Sequence, residues 1–305
     1  MLHEYGVPRA DDFDEPQAGA GQARVEVLAA GLNPVDVAIC AGRFYAGPPP
    51  LPSVAGREGV ALLDGARVYF DGPVAPFGSM AQRALIDPDS VHPVPDGVSD
   101  GVAVALGISG LAAWLSLTWR AQLRPGEHVL VLAASGVLGQ IAVQAAKLLG
   151  AGRVVAAARS REGLERCAQL GADATVRLDE RELAAAFAAA SHERIDVVLD
   201  PLFGEPLVAA LAAASPGARL VQIGAGASAE ATIPSAPIRG KMLVLMGHTN
   251  FAAPREVKAE AYARMAQAAA SGALTVETDE LPLEQVEEAW RRLGAGSHRK
   301  IVLVP

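Results

Sequence analysis

Metal-ligating side chains are scarce in this chain. Its two cysteines, Cys40 and Cys167, lie far apart in apolar settings, so neither a disulfide framework nor a four-cysteine zinc site can form. Both read as buried free thiols. The six histidines, His3, His92, His128, His192, His248 and His298, never recur at a ligand spacing such as H-x3-H, and read mostly as surface or packing residues. No uninterrupted apolar run nears the roughly 20 residues that a bilayer span needs, which argues against a membrane protein. The opening Met1-Leu2-His3-Glu4-Tyr5-Gly6 has neither a basic stretch nor an apolar core, so no signal peptide is read and the cytoplasm is the expected compartment. With a net charge of −8 and no basic cluster denser than Arg291-Arg292 or His298-Arg299-Lys300, nucleic acid is a poor partner.

What remains is a chain of 305 residues, 51% apolar and 20% charged, long enough for two domains. Its informative stretch begins at His128-Val129-Leu130-Val131-Leu132-Ala133, a continuous apolar run suited to a parallel strand buried on both faces. Ala134-Ser135-Gly136-Val137-Leu138-Gly139 follows, keeping the last two glycines of G-x-G-x-x-G with Ala134 in place of the first. A helix with Val137, Leu138, Ile141, Ala145, Leu148 and Leu149 on one stripe runs to Gly150, and a second strand is expected over Arg153-Val154-Val155-Ala156-Ala157-Ala158. Strand, glycines, helix and strand in this register predict a dinucleotide-binding unit, its pyrophosphate resting on free N–H groups at the helix start. The second strand ends in Arg159-Ser160-Arg161. NAD selection normally puts a carboxylate there for the ribose hydroxyl, whereas a cation suits the 2′-phosphate of NADP. Arg161 also stands at the positive end of the coming helix, which costs it roughly 0.3–1 kcal/mol that a phosphate would offset. The cofactor expected is NADPH.

Around this unit the chain falls into two patterns. The first hundred residues hold short strand-like runs divided by Pro and Gly: Ala23 to Ala30, Ala66 to Phe70, and Met80 to Ile86. They suit a small, partly open β-barrel. Asp100 to Arg120 reads as helix in two pieces, broken near Gly107-Ile108-Ser109-Gly110. Strands and helices then alternate, through Ala174 to Val176, Arg194 to Asp200, Ala218 to Gly224 and Lys241 to Gly247, giving a doubly wound parallel sheet. The end returns to the first domain through a strand at Leu274 to Glu277, a helix from Glu284 to Leu293 and a closing strand, Lys300 to Val304. The expected class is therefore α/β, with residues 100–247 forming the Rossmann domain and residues 1–99 with 248–305 the other.

Ala29-Ala30-Gly31-Leu32-Asn33-Pro34-Val35-Asp36, Gly56-Arg57-Glu58-Gly59, Leu170-Gly171-Ala172-Asp173 and Lys300-Ile301-Val302-Leu303, taken in that order, resemble the medium-chain dehydrogenase/reductase superfamily, in its zinc-independent quinone oxidoreductase (zeta-crystallin-like) branch. The resemblance implies a GroES-like first domain, NADPH-dependent reduction of a quinone, enone or enoyl thioester, and a homodimer through the edge strand at residues 241–247. It places Ser135, Gly136, Val137, Leu138, Gly139, Arg159, Ser160, Arg161, Gly224 and Lys300 at the cofactor. Zinc-dependent relatives carry Cys where Asn33 stands and His where Arg57 stands, so no metal is expected.

Hydride chemistry belongs to the cofactor, leaving the protein to orient the acceptor and stabilise charge on its oxygen. Three residues are candidates. Asn33 resembles the family residue near the nicotinamide and is either a donor to that oxygen or a turn residue before Pro34. Tyr45 either replaces the tyrosine that some members carry where this chain has Ala38, or packs beside Phe44 as a cleft wall. His248 follows a strand's C-terminal end, where such sheets bind ligands, and is otherwise a loop residue. Two rivals stand beside a quinone or enone reductase: an enoyl reductase for polyketide or fatty-acyl thioesters, and a non-catalytic NADPH-binding sensor, suggested by Ala38.

Overall fold

The computed structural model describes all 305 residues, and the chain divides into two compact units. Met1–Ser109 with Tyr262–Pro305 form the first, Gly110–Ala261 the second, so both cuts fall further along the chain than the expected 99/100 and 247/248. The first cut lies beside the break foreseen in the Asp100–Arg120 helix, where Gly107 leaves helical geometry with ψ −117°. That stretch is the one helix long and apolar enough to cross a membrane, its most apolar 18-residue window having mean hydropathy 1.7, a length the apolar-run criterion missed; 78% of that window is buried inside the protein.

In the first unit, β1 (Ala23–Gly31) organises the sheet. Its start pairs with β4 (Arg83–Ile86), its end with the last strand, and its other edge with β2 (Glu58–Leu63), the register shifting between Val27 and Ala29. A bulge of this kind bends a strand and lets one ribbon serve three partners. The meander continues through β3 (Ala66–Asp71) to β5 (Val91–Pro93). Helix α1 (Pro34–Cys40) follows β1, and α2 (Asp100–Ala105) packs on β1 and β2. The core is built from Val25, Val27, Ala30, Phe70, Ile86, Trp290 and Leu303.

The second unit holds helix α3 (Leu111–Leu115) and a parallel sheet of β6 (His128–Leu132), β7 (Arg153–Ala158), β8 (Ala174–Arg177), β9 (Val197–Asp200), β10 (Arg219–Gln222) and β11 (Val244–Gly247). The order β11-β10-β9-β6-β7-β8 makes the chain reverse direction between β6 and β9, the doubly wound arrangement. Val129, Leu130, Val131, Val198 and Leu199 are each at most 1% exposed, which explains the unbroken apolar runs of the central strands; each such burial contributes roughly 1.5–3 kcal/mol. The helices are α4 (Val137–Leu148), α5 (Arg161–Gln169), α6 (Leu183–Ala190), α7 (Gly204–Ala213), α8 (Ser235–Lys241) and the start of α9 (Arg255–Ala270), within which the second cut falls.

Three elements depart from expectation. The edge strand starts at Val244 rather than Lys241, because Lys241 closes α8 and Met242 caps it with φ 52°. In the first unit, β12 (Thr278–Pro282) replaces the strand expected at Leu274 to Glu277; it pairs in parallel with β13 (Lys300–Val304). Only Leu281 of β12 is buried, so its polar sequence carries no strand signal, while Leu274 packs inward after the turn at Gly272. Helix α10 (Val286–Gly294) lies between them.

Candidate functional site

The glycine turn leaves β6 through Ala133, whose φ of 51° reverses the chain. Gly136 then opens α4 with no side chain capping it, so the first N–H groups of the helix stay available. The Gln140 amide donates to the Ser135 carbonyl at 2.8 Å and steadies the turn. The two glycines have different reasons. A Cβ on Gly139 would sit 2.4 Å from Ala134 Cα and 2.6 Å from the Ala133 oxygen, so bare backbone is what lets α4 dock against the strand end. A Cβ on Gly136 would meet only the Ala133 oxygen, at an ordinary 3.6 Å. No protein neighbour requires Gly136; its bareness keeps the front of the turn open to an anion. Ser135, Val137 and Leu138 line the same turn, half-buried.

At the neighbouring strand end, Ser160 caps α5 by accepting the Gly163 N–H at 3.1 Å. Arg159 and Arg161 flank it, both exposed, and neither has a hydrogen-bond or ion-pair partner. The arm thus offers two unneutralised guanidiniums, a donor set that fits a phosphate monoester. Beyond β10, a Cβ on Gly224 would lie 3.1 Å from the Pro201 oxygen, so this position is already tight before any ligand is considered. Sequence reasoning missed Asp200, wholly buried at the end of β9. Its Oδ1 accepts from the Leu202 and Phe203 N–H groups at 2.9 Å, its Oδ2 meets no protein donor, and burial pushes its carboxyl up from the ordinary range.

The first unit contains a buried polar cluster that the sequence reading held only in fragments. Asn33, 2% exposed, is at its centre. Its Nδ2 donates to Glu58 Oε1 at 2.7 Å and to Asp36 Oδ2 at 3.2 Å, while its Oδ1 accepts from Lys300 Nζ at 2.7 Å and Ser109 Oγ at 3.2 Å. Both ends of the amide are engaged: Asn33 is the turn residue at the start of α1 and bridges two carboxylates. Lys300, 1% exposed, gives its ammonium to Glu58 at 2.6 Å as well. Glu58 Oε2 accepts from the Tyr69 hydroxyl at 2.8 Å and the Ile108 N–H at 2.6 Å. Asp36 Oδ2 also accepts the Asn33 backbone N–H at 2.8 Å, but its Oδ1 meets no donor. Burial, with Glu58 beside it, raises the Asp36 carboxyl to about 6. A small open pocket of about 80 Å³ adjoins Asp36, lined by Cys40, Arg57, Phe77 and several prolines.

Tyr45 is 75% exposed against Phe44, which corrects its reading as a packed wall. His248 is 8% exposed at the end of β11; its Nε2 bonds Asn250 Oδ1 at 2.9 Å and its Nδ1 is unsatisfied. Burial lowers its pKa below the usual imidazole value, and Arg120 adds to the effect. A histidine held neutral in this way is a poor proton donor at pH 7.

Residues 137–270 match the zinc-binding dehydrogenase family. Quinone oxidoreductase-like protein 2 of Rattus norvegicus is 31% identical over 238 residues, which span 75% of this chain and 68% of the relative. The quinone oxidoreductase of Thermus thermophilus, solved alone and with NADPH, superposes with a TM-score of 0.82 at 31% identity, covering 100% of this chain and 98% of the other. The chain belongs to the quinone oxidoreductase branch of the medium-chain dehydrogenase/reductase superfamily. Another relative, a type I polyketide synthase of phenolphthiocerol synthesis from Mycobacterium bovis, is 33% identical over 214 residues, 67% of this chain but 10% of that protein. In this member of the quinone oxidoreductase branch no three His, Cys, Asp or Glu side chains gather in a group able to hold a metal ion. Positions 33 and 57 supply an amide and a guanidinium.

Proposed function

We propose that the protein is an NADPH-dependent, zinc-free oxidoreductase that delivers hydride to a quinone or an α,β-unsaturated carbonyl. One observation carries the reading. An uncapped, glycine-lined helix start stands in the same unit as Arg159 and Arg161, two cations with no anion of the protein to neutralise them. The first N–H groups of α4 hold the pyrophosphate, with Ser135, Val137 and Leu138 along the turn. Arg159, Ser160 and Arg161 hold the 2′-phosphate, each charge-assisted contact contributing roughly 1.5–3 kcal/mol. Gly224 is assigned beside the nicotinamide, which supplies the hydride when NADPH is bound. The relationship to a quinone oxidoreductase solved with NADPH supports the same cofactor.

The first unit holds a fixed polar frame rather than a free acid. Asn33, Glu58 and Lys300 satisfy one another, and removing Glu58 or Lys300 would leave a buried charge uncompensated at a cost of roughly 3–5 kcal/mol. The proton that completes reduction comes from water, since His248 is neutral and Asn33 is committed. Tyr45, exposed, keeps the accessible hydroxyl of the three candidates. The protein pairs as a homodimer along β11, whose Val244 and Leu245 are 46% and 39% exposed. A second reading, reduction of an enoyl thioester, is favoured by the similarity to a polyketide synthase.

NADPH oxidation with a panel of small quinones, enones and enoyl thioesters, run with and without a chelator, tests the proposal. Turnover with a quinone or enone, unchanged by chelation, is expected. Cofactor binding without turnover of any acceptor would leave a sensor instead, and co-purifying zinc lost together with activity would contradict the zinc-free chemistry.

A further inference from the structure

Building on the NADPH reading, we propose that Gly163 determines the preference for NADPH over NADH by fixing the spacing between the glycine turn and the arginine arm. The two halves of the cofactor site are separate in sequence, and α5 ties them together. Gly163 lies in its first turn, where its N–H bonds the Ser160 hydroxyl that opens the helix between Arg159 and Arg161. Its bare Cα faces the glycine turn. A Cβ there would be 2.3 Å from Ser135 Cβ, 3.2 Å from Ser135 Cα and 3.3 Å from Ser135 Oγ. One turn further on, the Cys167 thiol donates to the Ala134 carbonyl at 3.2 Å, so α5 meets the glycine turn at two successive levels.

The steric requirement is severe. Side-chain carbons do not approach to 2.3 Å, and both partners are anchored: Ser135 by the Gln140 bond to its carbonyl, Gly163 by the Ser160 cap. Interiors packed this closely shift as units rather than compress. A methyl at position 163 therefore moves the first turn of α5, with Arg161 and the Ser160 cap that joins it to Arg159, away from the turn that seats the pyrophosphate. NADPH is held at both places and NADH only at the pyrophosphate, so the displacement acts on one cofactor. Helix propensity alone would favour Ala over Gly at this position, which separates the contact from any intrinsic weakness of the substitution.

The test compares NADPH and NADH dissociation constants in the full-length wild type, in Gly163→Ala, in Ser135→Gly, and in the two substitutions combined. Gly163→Ala is expected to weaken NADPH about tenfold, the loss of one charge-assisted contact, and to change NADH by less than about threefold. Ser135→Gly removes the opposing Cβ and hydroxyl and leaves the new methyl against a Cα at 3.2 Å, so the double variant is expected to recover the NADPH:NADH ratio of the Ser135→Gly protein. Equal losses for both cofactors, an unchanged ratio, a ratio that Ser135→Gly does not restore, or a Gly163→Ala protein that does not fold would each overturn the proposal. A wild type that binds NADH as tightly as NADPH refutes the cofactor reading, and this inference with it; a wild type that prefers NADPH beside a variant of unchanged ratio refutes this inference alone.

Discussion

Asp36→Asn removes one of two neighbouring buried carboxylates while keeping the oxygen that accepts from the Asn33 backbone. Burial and the Glu58 charge raise the folded-state carboxyl to about 6 from an ordinary 3.8, against a smaller opposing pull from Lys300 and the Asn33 hydrogen bonds. The folded state therefore holds this proton more tightly than the unfolded chain does. Stability from this group is complete below pH 4 and falls as pH rises towards and past 6, by on the order of 3 kcal/mol for a shift of about two units. Asn does not ionise, so the variant should lack that decline. The new amide N–H adds a constant cost of about 1–3 kcal/mol if it finds no acceptor, so the pH dependence is the quantity to read. Urea unfolding of both proteins from pH 4 to 8 measures it. The difference, variant minus wild type, should climb between pH 4 and 6 and level off above about 7. A difference that stays flat would mean that Asp36 is ionised throughout and that the cluster carries its second negative charge without strain.

Two further outcomes follow from the same geometry. His248→Ala should leave the shape of the kcat/KM profile between pH 6 and 9 unchanged, because burial already keeps the ring neutral there; loss of an ionisation from that profile would make His248 the proton donor. Lysines at Val244 and Leu245 put cations on both faces of the edge strand and should convert a dimer to monomer in light scattering, whereas an intact dimer would place the interface elsewhere.

The legible parts of the site are those whose partners are close in sequence. The strand, Ser135 to Gly139 and the helix behind them form one local unit with its own periodicity, and Arg159 and Arg161 stand at a fixed distance along the next strand. The buried frame around Asn33 is hidden from the sequence for the opposite reason. The Asn33 amide is occupied by Glu58, 25 residues away, and Lys300, 267 residues away, and no local pattern reports that. The burial of Lys300 is equally hidden, since nothing local marks a lysine opening a closing strand as buried. β12 is displaced from its expected place because an edge strand that buries one leucine has no alternation to read. Gly163 gives no signal at all, since a glycine inside a helix looks like a weakness until Ser135 is seen against it.

The cofactor assignment is tested most directly by titrating NADPH and NADH into the wild type and the Arg159→Ala/Arg161→Ala double variant, following binding by cofactor fluorescence. Two charge-assisted contacts at roughly 1.5–3 kcal/mol each predict that the variant loses NADPH affinity by about 100-fold or more while NADH changes only a few-fold, erasing the preference. Equal losses for both cofactors, or a wild type with no preference for NADPH, would contradict the account.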